Sequence, residues 1–213
     1  MSDRHSADHQ LNWKLSVDRF LIKKEVRKLR QWARNQKQNL NGNRQAWFES
    51  ALVEIALNTG LRVAEIAALR CGDVVLRDEL SYVFVRNGKC GKSRQVIISK
   101  DFQEFLSGLL KHKQEIGEGT GNDDVLLVSA KSKGGYTTRG LQHAFKRCLR
   151  KAGIAMYHSI HHLRHTYASC LLVSSKNNLR LVQKQLGHSS VAVTQVYLDL
   201  FSEEIIDALK NLF

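Results

Sequence analysis

Four side chains near the end of the chain have the types and spacing for acid–base and nucleophilic chemistry. His161 and Arg164 stand three residues apart in IHHLRHTYAS, His188 follows a glycine in LGHSS, and Tyr197 comes nine residues after that histidine. A separation of three residues puts His161 and Arg164 on one face of a helix. A guanidinium stays charged at any working pH and can hold phosphoryl oxygens, an imidazole can take a proton near neutral pH, and a phenol can act as a nucleophile. Together they are the side chains needed to attack a phosphodiester without a metal.

Two upstream stretches could complete the set. In TGLRVAEIAALR, Arg62 sits at the start of a helix and would project from a rigid end, with Glu65 one turn on. Taken alone, that pair is also an ordinary surface ion pair worth a few tenths of a kcal/mol. In RNGKCGKSR, Asn87-Gly88 signals a hairpin turn, and Lys89 and Lys92 ride on the connection. A rival use of the histidines is zinc, because His161 and His165 have the one-turn spacing of metal ligands in a cluster that includes His158 and His162. No HExxH glutamate and no neighbouring carboxylate or cysteine completes such a site, so no metal and no cofactor is expected. GKCGKS lacks the GxxxxGKS spacing, which argues against nucleotide chemistry.

The elements that must position these groups read as mostly helical. Apolar residues at three- and four-residue spacing predict a basic amphipathic helix from residue 16 to about 33 and a second over about 44–58 that buries Trp47, Phe48, Ala51, Leu52, Ile55 and Ala56. Gly60 supplies the stop. Three β-prone runs follow, at 74–76, 80–85 and 95–98, then a helix over about 101–114, a short strand at 125–128, and a helix capped by Thr137 or Thr138. That last helix carries a basic run, Lys146, Arg147, Arg150 and Lys151, which could meet phosphate or only water. The fold class is α+β, mostly α-helical, with a small antiparallel three-stranded sheet. The segments are a mobile stretch at 1–15, one domain over 16–201, and a C-terminal helix at 202–213.

Composition limits the partners. Lys and Arg number 33 against 20 Asp and Glu, a net charge of +13, which favours a polyanion over a neutral metabolite. No apolar run approaches the roughly eighteen residues of a membrane span and no leader pattern opens the chain, so a soluble protein of the cytoplasm is expected. The four cysteines, at 71, 90, 148 and 170, form no CxxC pair and read as reduced thiols.

TGLRVAEI, NGKCGKSR, HHLRH, LGHSS and Tyr197, in this order, resemble the catalytic domain of the tyrosine recombinases, the phage integrase family, over roughly residues 20–205. The resemblance implies that Arg62, Lys89, His161, Arg164, His188 and Tyr197 are catalytic and that Glu65 supports Arg62. Lys92 competes with Lys89, since the loop alignment can slide by three residues. Candidate DNA contacts are Lys92, Arg94, Arg139, Lys146, Arg147 and Arg150. The implied activity is site-specific recombination through a 3′-phosphotyrosyl intermediate. Its implied partners are double-stranded DNA and further copies of the chain, as dimer to tetramer, with accessory DNA-bending proteins. The setting would be bacterial, archaeal or phage-type cytoplasm, at the nucleoid. A topoisomerase of type IB and a non-catalytic DNA-binding regulator are the alternatives. Most members of the family carry a separate N-terminal DNA-binding domain; the short leader here is expected either of a small recombinase, as in the fimbrial-switch invertases, or of an excised piece. Ser159-Ile160 stands where a proline often precedes the histidine. The tail at 198–213 carries an apolar stripe that folds back on its own domain or docks into a neighbouring protomer.

Overall fold

The computed structural model describes residues 19–38, 44–86, 92–129, 132 and 134–187. Helices α1 (Lys23–Gln38), α2 (Arg44–Thr59) and α3 (Val63–Ala68) come first, and a 3₁₀ turn over Cys71–Asp73 leads into the strands. These are β1 (Val74–Val75), β2 (Tyr82–Val85) and β3 (Arg94–Ile97), followed by α4 (Lys100–Glu115), α5 (Thr138–Lys151), α6 (Ile160–Ser174) and α7 (Leu179–Leu186). The expected turn at Asn87-Gly88 and the segments 1–15 and 202–213 lie outside the described residues.

Helix α1 starts later than its periodicity predicts. Phe20 and Leu21 are buried ahead of it, and the Leu21 N–H donates to Thr166 Oγ1 of α6 at 2.9 Å, which ties this stretch to α6. The Glu25 carboxylate then accepts the Ile22 N–H at 3.0 Å and lets the helix begin. Helix α2 is buried nearly all round, including Glu49, Ser50 and Glu54 as well as the predicted apolar face. It is therefore the central helix, packed against α1, α5 and α6.

The three strands form one antiparallel sheet in the order β1-β2-β3, with Val83 facing Val74 on one side and Val96 on the other. Val83, Val85 and Val96 point into the core while Gln95 and Ile97 face outward, the period-two pattern of a sheet with one wet face. The expected strand at 125–128 is not one. Leu126 and Leu127 are both buried, so the stretch lacks a period of two, and it makes only the isolated bridges Arg70↔Val125 and Val128↔Gly135.

Two apolar clusters meet along α6. Ile160 and Leu163 belong to the large core with α1 to α5, whereas Ala168 and Leu172 join Phe20, Val182 and Leu186 in a smaller one beneath α7. Helix α7 has caps at both ends: Asn178 accepts from the Leu181 N–H at 3.0 Å, and Gly187 ends it at φ +66°.

Candidate active site

The turn from α2 to α3 sets the first half of the site. Gly60 takes φ +60°, and a Cβ there would lie 2.4 Å from the Tyr167 ring and 2.9 Å from Leu186, so only glycine fits between α6 and α7. Two residues later Arg62 is the N-cap of α3. The Glu65 carboxylate reaches back to accept the Arg62 backbone N–H at 2.8 Å and its Nη1 at 3.0 Å. These two bonds, both donated by Arg62, fix the point from which its guanidinium projects.

Glu65 is not half of a surface pair. Its side chain is 4% exposed, and it also accepts two hydrogen bonds from Arg94 of β3, at 2.8 and 2.9 Å. Burial by itself would raise the Glu65 pKa. Hydrogen bonds from Arg94 and from the Arg62 backbone, with the charges of both guanidiniums, reverse that and lower it to about 2.

Arg164 supplies the second half. Its side chain is 2% exposed; Nη1 donates to the Gly60 carbonyl at 2.6 Å and Nη2 to the Leu186 carbonyl at 2.8 Å, while Glu65 Oε2 lies 4.0 Å away. The carbonyls at the ends of α2 and α7 therefore set the plane of this guanidinium. His161, one turn earlier on α6, lies on the exposed side. Partial burial first, then the charges of Arg164, Arg62 and Arg19, lower its pKa below the usual 6.5. An imidazole kept neutral beside two guanidiniums is suited to accept a proton.

The four histidines weighed as zinc ligands separate into two pairs. His158 is buried and contacts His162 through Nδ1 atoms 3.2 Å apart, with its Nε2 3.4 Å from Glu25. His161 and His165 meet edge to face, ring centroids 4.5 Å apart, and burial followed by these neighbours lowers the His165 pKa to about 3. Among the described residues, no three His, Cys, Asp or Glu side chains are grouped to hold one ion.

Lys89, His188 and Tyr197 lie outside the described residues. Of the basic residues expected at DNA, Lys92, Arg139 and Arg150 are exposed. Arg94 departs from that expectation, because its guanidinium faces inward onto Glu65 and is only 10% exposed. Arg147 and Lys151 each pair with the fully buried Glu49 carboxylate, at 3.3 and 2.8 Å, while their own side chains stay 40% and 48% exposed, and Lys146 donates to the Met156 carbonyl. Sequence reasoning missed helix α7, although Asn178, Val182, Leu186 and Gly187 together carry its signature.

The sequence profile of the phage integrase family matches residues 19–204. The chain belongs to the phage integrase family. Tyrosine recombinase XerD of Ralstonia nicotianae is 33% identical over 157 residues, covering 74% of this chain and 50% of that protein. The crystal structure of XerA recombinase superposes with a TM-score of 0.66 at 29% identity, over 84% of this chain and 57% of that one. XerH recombinase, solved with its difH substrate before cleavage, shares the fold with a TM-score of 0.67 at 24% identity, over 87% and 51% of the two chains. This phage integrase domain thus spans about half the length of the relatives it matches. Among its described residues, no helix is long and apolar enough to cross a membrane.

Proposed function

We propose that this chain is the catalytic domain of a site-specific DNA recombinase that breaks and rejoins DNA through a 3′-phosphotyrosyl intermediate. The observation that carries the reading is that Arg62 and Arg164, from helices far apart in the chain, meet at the Glu65 carboxylate, with His161 near enough to feel the charge of both guanidiniums. Arg62 and Arg164 clamp nonbridging phosphoryl oxygens as negative charge builds. His161 takes the phenolic proton of Tyr197, whose oxygen attacks phosphorus. The bond to the 5′-oxygen breaks, and that oxygen receives a proton from Lys89, or from Lys92 if the hairpin register is shifted. His188 donates a hydrogen bond to the phosphate. The reverse reaction, with the 5′-hydroxyl of another strand, reseals the DNA.

The excess positive charge fits DNA as the substrate, and strand exchange requires several copies of the chain on it, dimer to tetramer. XerC and XerD, the curated relatives, are named tyrosine recombinases. The cytoplasm is the compartment that such a substrate implies. The test uses a pool of nicked duplexes with randomised sequence around the nick, in EDTA, so that a cut releases a short fragment and traps the protein on DNA. Covalent adducts recovered after denaturation identify the sequence cleaved. The wild type is expected to form the adduct and Tyr197→Phe to bind the recovered sequence without reacting. An adduct of full strength with Tyr197→Phe overturns the assignment. Resealing by a monomer without strand exchange would instead indicate the topoisomerase.

A further inference from the structure

The last turn of a helix leaves carbonyl oxygens without intrahelical partners, and those at the end of α7 are taken by two arginines from elsewhere in the chain. Arg164 Nη2 donates to the Leu186 carbonyl at 2.8 Å, and Arg94 Nε donates to the Gln185 carbonyl at 3.1 Å. Arg94 at the same time grips both oxygens of Glu65, at 2.8 and 2.9 Å. A Cβ on Gly187 would sit 2.7 Å from Arg94 Cδ and 3.0 Å from its Nε, so the bare glycine is the gap that the arginine fills. A second tie lies beside the first. The Gln185 side chain accepts the Ile97 N–H at 3.0 Å and donates to the Ile97 carbonyl at 3.2 Å, joining α7 to β3 again.

We propose that Arg94 is a positioning residue of this site: it locks the end of α7, which His188 follows in the chain, to the Glu65 carboxylate that orients Arg62. The inference rests on the catalytic reading above. His188 is the next residue after Gly187, so a slip of the α7 terminus shifts the point to which it is joined. The strand that carries Arg94 also ends the hairpin on which Lys89 and Lys92 ride, so one side chain ties the hairpin base, the Arg62 helix and the α7 end together. Lysine cannot replace it. An ammonium carries its donors on one atom and cannot span two carboxylate oxygens and a carbonyl at once, as the planar fork does.

The test compares wild type, Arg94→Lys, His188→Ala and the double variant on the sequence that wild type captures from the nicked pool. Thermal unfolding of each is followed alongside. Arg94→Lys is expected to fold and to form adduct about ten- to a hundredfold more slowly, the effect of a misplaced catalytic group. The double variant is expected to lose clearly less than the product of the two single losses, because the part of the Arg94 effect that runs through His188 cannot be lost twice. Adduct formation by Arg94→Lys at the wild-type rate overturns the proposal, as does a double variant whose losses multiply. If Arg94→Lys does not fold, Gln185→Ala takes its place: a several-fold loss absorbed by His188→Ala supports the lock, and an unchanged rate or multiplied losses overturn it. Wild type forming no adduct on any sequence refutes the catalytic reading itself, whereas a reactive wild type with an unaffected Arg94→Lys refutes only the lock.

Discussion

Glu65→Gln should destabilise the fold strongly at neutral pH and lose that effect in acid. The carboxylate is almost wholly buried and touches Arg62, Arg94 and Arg164. Its fall from the ordinary 4.5 to about 2, at about 1.4 kcal/mol per pH unit, corresponds to about 3 kcal/mol of stability at pH 7. Removing one partner of a buried ion pair typically costs about 3 to 5 kcal/mol, so two independent routes give the same size. Glutamine is close in shape but turns an NH₂ toward the Arg94 fork, which offers only donors. The folded-state pKa lies below the unfolded one, so the stabilisation is complete above about pH 4.5 and is lost as pH falls toward about 2. The difference between wild type and variant should shrink by about 1.4 kcal/mol per pH unit across that window and stand at about 1.4 kcal/mol near pH 3. Urea unfolding at pH 7, 5, 4 and 3 measures it, urea being preferred because an ionic denaturant screens the charges. A difference under about 1 kcal/mol at pH 7, or one that does not change with pH, would refute the view of Glu65 as an ionised hub.

Three further outcomes follow from the same structure. Gly60→Ala combines a left-handed backbone with a Cβ 2.4 Å from the Tyr167 ring, and should lower stability by about 3 kcal/mol in denaturant unfolding; a change below about 1 kcal/mol would show that α6 and α7 do not close on this turn. Burial and neighbouring guanidiniums depress the pKa of His161, so the acid limb of the cleavage rate should fall below pH 6.5, and a single-turnover pH profile with its limb at or above that value contradicts a base held neutral by its surroundings. Arg150→Ala should reduce the slope of log affinity for DNA against log salt by about 0.9, whereas Arg147→Ala should change unfolding and leave the slope nearly as it was. Equal slope changes would mean that Arg147 leaves Glu49 when DNA binds.

Periodicity and motif order make most of the helices and the family legible in the amino-acid sequence itself. Leu29, Ala33, Phe48, Leu52, Ile55 and Leu163 are buried as their spacing requires, and Gly60 stops α2. These are local facts: a helix face or a turn is written within a few residues, and the site motifs are short enough to be read whole. Helix α7 is legible too, but its short amphipathic run lies hidden behind the conspicuous histidine that follows it. Which charges stay in water is a different kind of question. Arg94, Arg147 and Arg150 look alike along the chain, yet Arg94 meets Glu65 across 29 residues, Arg147 meets Glu49 across 98, and Arg150 is exposed. Only the tertiary fold decides this, because a buried carboxylate must find a cation wherever one can reach it, and reach is set by packing rather than by order in the sequence. For the same reason, the sequence could place Arg62 and Glu65 one turn apart but could not say whether they were a surface pair or the hub of a site. The packing of Arg164 from α6 and Arg94 from β3 against Glu65, which leaves its side chain 4% exposed, makes that difference.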